Sequence, residues 1–395
     1  MKTYSAIVLK AQKEQSVMRR HPWIFSGAIQ KKDSSLQEGD VVNVFSSIGN
    51  FLAVGHYQIG SIAVRLLSFE QEAIDASFWE KRVRSAVEFR KNLQLLGNEQ
   101  NNVFRLIHGE GDQLPGLIVD YYAGCAVMQA HSVGMFLAQA EIIAAMRKVM
   151  GDSLVSVFDK SEGTLPFKAD IDPHNGYVWG EGSPAVVLEN GLKFRVNWET
   201  GQKTGFFVDQ RDNRFLVEKY SKNRRVLNMF GYTGGFSVYA LRGGASHVDT
   251  VDVSEKAIKL TDENVEINFG NDAPHTSYAV DAFDYMKTME QKYDLIILDP
   301  PAFAKHMNVL DKALQAYKRL NQRAIEKIEP GGILFTFSCS QVVSKLDFRK
   351  SVFAAAANAK RNVRIIHQLD QPSDHPVNIF HPESEYLKGL VLHIE

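Results

Sequence analysis

The 395-residue chain contains only two cysteines, Cys125 and Cys339. Two thiols cannot build a disulfide framework, and their scarcity fits a chain kept in reducing surroundings. Long apolar runs are missing as well, because no stretch reaches the roughly 18 consecutive apolar residues that a membrane-spanning helix needs. The opening residues, MKTYSAIVLK, lack the apolar core and small-residue cleavage site of a secretory signal. A cytoplasmic enzyme with no membrane partner is therefore expected. A dominant charge is absent too: 45 Lys and Arg face 46 Asp and Glu. That balance neither demands nor excludes nucleic acid, so the distribution of charge has to decide. There is no internal repeat and no low-complexity segment. No metal ligand set is assigned, so no metal is expected.

What is present has a clear order along the chain. With 45% hydrophobic and 23% charged residues, the composition is that of a globular protein, and the length suits two or three domains. Residues 1–32 hold Lys2, Lys10, Lys13, Arg19, Arg20, Lys31 and Lys32 against Glu14 alone. That cluster reads either as a phosphate-binding face or as a solvated one. The segments 39–46, 50–57 and 61–69 are β-branched or aromatic with turn signals between them, which predicts a small β-rich domain over 1–72. Helical spacing over 77–96, two strands around Ala123-Gly124, a helix ending at Gly151 and a strand at 154–160 predict an α+β domain over 73–188. The stretch 170–184 reads as a polar loop. From 189 to 395 apolar strands at 225–230, 247–253, 277–280, 293–299 and 332–338 alternate with helical segments at 234–243, 254–269, 282–291, 310–329 and 344–359. This alternation predicts an α/β doubly wound parallel sheet, whose ligands sit at the carboxyl ends of the strands.

The chemistry-bearing residues fall just after those strands. The first strand opens into Phe230-Gly231-Tyr232-Thr233-Gly234-Gly235, where glycine lets backbone approach a ligand closely. The spacing is neither the dinucleotide G-x-G-x-x-G nor a P-loop. Asp252 ends the second strand, where a carboxylate can accept the two hydroxyls of a ribose. Asp281, followed by Ala282 and Phe283, ends the third, where it can meet an adenine; a helix N-cap is the alternative for either aspartate. The fourth strand ends in Asp299-Pro300-Pro301-Ala302-Phe303. Two prolines there cannot extend a ladder, and the carboxylate can hold the polar edge of a base. The fifth ends in Thr336-Phe337-Ser338-Cys339-Ser340, which places a thiol among hydroxyls in the same layer as Asp299.

These landmarks, in this order, resemble the class I S-adenosylmethionine (SAM) methyltransferases. The pair DPPAF and TFSCS, the block TGQKTGFFVDQR at 200–211, HPWIFSGAI at 21–29, Asp374-His375-Pro376 and Tyr386-Leu387-Lys388-Gly389 are similar to the bacterial RlmI-type ribosomal RNA cytosine-5 methyltransferases. The likeness covers essentially the whole chain. It implies an N-terminal PUA-like domain, a linking domain, a Rossmann-like methyltransferase domain, SAM as cofactor and large-subunit ribosomal RNA as partner. It also implies cofactor contacts from Asn228, Phe230, Gly231, Tyr232, Thr233, Gly235, Asp252, Asp281, Ala282, Asp299 and Gln210. Pro300, Pro301 and Phe303 would then face the substrate, and Lys203 and Arg211 would close over cofactor or RNA, a linking turn being the alternative. Arg19, Arg20 and Trp23 would bind phosphate and stack on a base, against the alternative of a buried Trp beside solvated arginines. A homodimer is compatible with this reading. The chain departs from the pattern at Asn228, where many class I enzymes carry an acid, so an altered contact to the methionine amine is expected. It departs again at DPPAF, which lacks the second cysteine of other RNA cytosine-5 enzymes. Cys339 and Asp299 are the expected catalytic pair, with a base or a positive potential beside the thiol. The rivals are an amino-group methyltransferase, which needs no thiol, a nicotinamide oxidoreductase and a non-catalytic RNA-binding scaffold.

Overall fold

The computed structural model describes residues 4–166, 171–182, 186–290 and 292–395. Lys2, positions 170, 183 and 184 of the expected polar loop, and position 291 of an expected helix lie outside the described residues. Contacts divide the chain into two compact units. One comprises Met1–Leu188, Val196–Val208 and Ser373–Ser384, the other Glu189–Arg195, Asp209–Pro372 and Glu385–Glu395.

The first unit opens with a six-stranded sheet, in the order Trp23–Phe25, Ile62–Ser68, Phe51–Tyr57, Val41–Phe45, Ser5–Leu9 and Ile29–Lys32. Alternating residues of these strands, such as Ile7, Leu9, Val42 and Val44, are buried on one face, as the period of two dictates. A second, five-stranded sheet follows, with the helices Ala76–Asn92 and Gln139–Met150. Asp75 caps the first helix by accepting the amides of Ser77 and Phe78, and Gly151 stops the second at φ 55°. One apolar cluster runs from Val54 and Leu67 through Phe78 and Val83 to Met146 and Val157, so no gap in the core marks residue 72. Two strands of the second sheet, Val103–His108 and Gly176–Trp179, fall where no strand is expected. The latter lies in the stretch read as a polar loop; sheet pairing with Ser156–Asp159 orders it, with Tyr177 against Phe158 and Arg147 over the Trp179 ring.

Arg90 is fully buried here and is held by a two-pronged bond to Asp112 at 2.5 and 2.8 Å. It also donates to the carbonyls of Arg105 and Asp374. The Asp374 carboxylate in turn accepts the Arg105 amide at 2.9 Å. The Asp374-His375 motif is thus a buried clamp of this unit.

Burial also pushes the ring of His56 down to about 4. Below the ordinary value of 6.5 the unfolded chain takes up a proton at this ring, while the folded chain does not until about pH 4. Stability therefore falls as the pH drops through this window, by about 3 kcal/mol when the window is crossed. Denaturant midpoints should decline steadily from pH 7 to 4.5; a flat profile would contradict the assignment.

The second unit is built on a seven-stranded sheet. Its strands are β1 (Arg225–Met229), β2 (His247–Asp252), β3 (His275–Ala279), β4 (Leu295–Leu298), β5 (Gly332–Ser338), β6 (Val363–Leu369) and β7 (Lys388–Ile394), in the order β3-β2-β1-β4-β5-β7-β6. β1 to β5 are parallel, and β7 runs antiparallel to both β5 and β6. The helices Gly235–Arg242, Glu255–Phe269, Ala282–Thr288, Leu310–Lys327 and Lys345–Ala359 match the expected segments. The sheet order reverses at β1 and β4, so their carboxyl ends flank a crevice.

Candidate active site

The chain leaves β1 through an unusual loop. Phe230 and Tyr232 sit in the left-handed region at φ 62° and 46°, and Gly234 at 73°. An aromatic residue there costs about 1–2 kcal/mol, a strain that persists only where the surroundings impose it. Here the Gly231 amide donates to the Val251 carbonyl at 3.0 Å, and Thr261 and Asn264 donate to the carbonyls of Tyr232 and Thr233. A Cβ on Gly231 would stand 2.3 Å from the Thr250 methyl, so only glycine permits this path. Gly235 opens the following helix, and Thr233 is buried.

Asn228 lies wholly buried, its Nδ2 donating to Ser237 Oγ at 2.9 Å and its Oδ1 lacking a hydrogen-bond partner. The contact expected to the methionine amine is thus not available from an exposed side chain; Asn228 ties β1 to the helix Gly235–Arg242. At the end of β2 the two Asp252 oxygens accept the amides of Tyr232 (3.0 Å) and Ser254 (2.9 Å). Each oxygen has a second lone pair, so the carboxylate can take a further donor. Asp281 caps its helix, with Oδ1 accepting the amides of Phe283 and Asp284, and the residue stays exposed. Ala282 follows it on the helix, with its side chain buried in the apolar core.

The ends of β4 and β5 meet. The two strands pair in register Leu298↔Thr336, and continuing that register sets Asp299-Pro300 beside Phe337-Ser338, one residue before Cys339. Cys339, half-buried, points its Sγ toward the Pro300 carbonyl at 3.9 Å. Ser338 and Ser340 on either side are buried, and both hydroxyls lie within 3.0 Å of the Tyr317 hydroxyl. The Ala304 amide donates to Ser340 Oγ, and Phe303 packs on the Tyr317 ring at 4.7 Å. Pro300 is buried and Pro301 exposed. The thiol is therefore presented from a rigid frame that the prolines and a buried tyrosine hold in place.

Lys388 completes the frame. It pairs with Ser338 across β5 and β7, and its buried ammonium donates to the carbonyls of Ser340 and Val343 at 2.6 Å each. Burial pushes this amine down to about 8, and Cys339 acts on it electrostatically in the opposite direction. Here is the positive potential expected near the thiol. Neither Lys388 nor Tyr317 carries a role that spacing could reveal, since each reaches the site from a different element, 49 and 22 residues from Cys339.

The remaining expected residues divide between the units. Gln210 and Arg211 are buried in the second, where Gln210 accepts Asn213 Nδ2 at 2.6 Å and Tyr386 donates to the adjacent Asp209. Lys203 is exposed in the first, its ammonium over the Phe207 ring. Also in the first unit, Arg19 and Arg20 are exposed, Arg20 lying over Phe69. Trp23 corrects the expectation of a free stacking surface. Its Nε1 donates to Glu110 at 2.8 Å, the Arg65 guanidinium covers its ring, and His381 packs against it at 4.2 Å.

A strained glycine loop packed closely on Thr250 and Thr261, with the Asp252 carboxylate at its side, fits a bound adenosyl group. Comparisons with known proteins agree. The family profile of S-adenosylmethionine-dependent methyltransferases matches residues 104–390, and that of PUA-like domains matches 7–69. "Ribosomal RNA large subunit methyltransferase I" of Pseudoalteromonas translucida is 38% identical over 402 residues, covering 98% of each chain. A candidate SAM-dependent methyltransferase of Streptococcus mutans superposes with a TM-score of 0.83 at 24% identity, over 98% of this chain and 99% of that one. SMU.776, solved in complex with SAH, does so at 0.85 and 24%, with the same coverage. Among the described residues no helix is long and apolar enough to cross a membrane. The chain belongs to the SAM-dependent methyltransferases, in the family of its relatives named ribosomal RNA large subunit methyltransferase I.

Proposed function

We propose that this chain methylates carbon-5 of a cytosine in large-subunit ribosomal RNA, through a transient covalent bond to Cys339. The names of its full-length relatives support the RNA class. The placement of the Cys339 thiol beside the Asp299-Pro300 turn, with the buried Lys388 ammonium behind it, supports the chemistry.

Cytosine carbon-5 is a poor nucleophile while the ring is conjugated. Addition of the Cys339 thiolate to carbon-6, with a proton gained at N3, makes an enamine whose carbon-5 can form a new bond. SAM, when bound, supplies a sulfonium methyl group for that bond. Loss of the carbon-5 proton to a base, with the N3 proton given back, then allows the thiolate to leave and restores the neutral aromatic ring. Asp299 is assigned to the N3–N4 edge, where a carboxylic group can deliver and share the proton. Lys388 stabilises the thiolate before attack and again at its departure. Asp252 takes the ribose hydroxyls, and the loop over Phe230–Gly234 takes the methionine end through backbone groups. Asn228 ties β1 to the helix that follows that loop. A base inside a duplex cannot reach these groups, so the target cytosine is single-stranded or flipped out.

Fluorine at carbon-5 tests the scheme, because it cannot leave as a cation. With SAM present, RNA carrying 5-fluorocytosine at the target should accumulate as a methylated protein–RNA adduct that survives denaturation and maps to Cys339. Complete turnover without an adduct would exclude the covalent route.

A further inference from the structure

Three side chains outside this site, all in the first unit, point their donor atoms at one spot. His21 lies two residues before the strand Trp23–Phe25, while His381 and Glu383 flank the start of the turn Pro382–Ser384. Their donor atoms all lie within 4.8 Å of one another. The Glu383 carboxylate bridges the two rings, with Oε1 3.6 Å from His21 Nε2 and Oε2 3.7 Å from His381 Nε2. Around a tetrahedral zinc with bonds of about 2.1 Å, neighbouring donors stand roughly 3.4 Å apart, so the carboxylate distances are already close to ligating ones.

The outer atom of the His381 ring is held as a metal ligand's usually is. His381 Nδ1 lies 2.7 Å from Ser384 Oγ, and a proton on it leaves the Nε2 lone pair facing inward; His21 Nδ1 lies 3.2 Å from both the amide and the carbonyl of Trp23. The third observation is a deficit. His381 is 2% exposed, and its Nε2 has no hydrogen-bond partner. A buried ring nitrogen left so is costly, and coordination would satisfy it.

We infer that His21, His381 and Glu383 form a binding site for one divalent transition-metal ion of the zinc class. Two imidazoles and a carboxylate are a zinc donor set with one coordination position left for water. The ion would fasten the turn at 382–384 to the strand at 23–25, a structural use separate from methyl transfer. The three ligands are scattered over more than 360 positions, so no spacing rule exposes them in the sequence.

The full-length chain, stripped with chelator, should bind one cobalt(II) ion per molecule. The visible bands should carry no thiolate charge-transfer component and should be displaced by zinc. Glu383→Gln, at a half-exposed side chain that does not threaten folding, should lose these bands and the rise in melting temperature that zinc gives the parent. Ser384→Ala should weaken binding about tenfold by freeing the His381 ring. Absence of cobalt binding to the parent, undiminished binding by Glu383→Gln, or a thiolate signature in the spectrum would each overturn the site; in that case the cluster is an ordinary histidine–carboxylate ion pair.

Discussion

Cys339→Ala should bind SAM as tightly as the parent chain and yet transfer methyl groups to RNA at least roughly 10³-fold more slowly, as loss of a covalent nucleophile does. The two halves of this expectation rest on different observations. In the proposed scheme cofactor affinity rests on the loop over Phe230–Gly234 and on Asp252, and the loop is anchored to β2 and, through the Thr261 hydroxyl, to the helix Glu255–Phe269. The frame around the thiol depends on Ser338, Ser340 and Tyr317, whose hydroxyls bond one another. Replacing the thiol by a methyl therefore removes the nucleophile and leaves its surroundings standing. Rates under single turnover, set beside calorimetric SAM affinity, separate the halves. An amino-group methyltransferase using the same Asp-Pro-Pro turn would lose only a few-fold, because a direct attack by nitrogen has no use for sulfur. Such a small loss would transfer the assignment to that chemistry.

How much of this is visible in the residues depends on the range over which each feature is set. The five parallel strands and their five helices follow from local periodicity, and the structure places them within a few residues of expectation. The Asp299 and Cys339 turns are equally local, since prolines after an apolar strand and a cysteine at a strand end have meaning only there. Features set by partners elsewhere escape such reading. β6 is an edge strand with polar and exposed residues such as Arg364, so it carries no apolar run, and β7 takes its place by pairing with both β5 and β6. Gly176–Trp179 looks like loop until a neighbouring strand pairs with it. The same holds for chemistry. Trp23 beside two arginines suggests a stacking surface, but Arg65, Glu110 and His381 occupy it from distant positions. Asn228 looks like a substituted ligand, whereas its burial makes it a brace.

Lys388→Met should lower methyl transfer roughly 30-fold at pH 7, and the deficit should shrink as the pH rises. The direction follows from charge. An ordinary thiol is only a few per cent ionised at pH 7, while a lysine ammonium alongside can bring the larger part into the reactive form. In the parent chain this assistance is itself titratable, because burial holds the Lys388 amine at about 8 rather than 10.5. Below that value the ammonium is charged and favours the thiolate; above it the charge is lost, just as solvent alone begins to ionise a free thiol. The ratio of variant to parent rates should therefore climb from pH 7 toward parity near pH 9. Met keeps the bulk of the stem but abandons two buried carbonyls, those of Ser340 and Val343, so some loss of stability is expected as well. Lys388→Arg separates the two effects. It retains a charge that does not titrate in this range, so its rate should stay above that of Lys388→Met at pH 7 and show no change in slope near pH 8. A ratio for Lys388→Met that is constant with pH would mean that Lys388 serves only to hold the turn after Cys339, and that the thiol draws its reactivity from elsewhere.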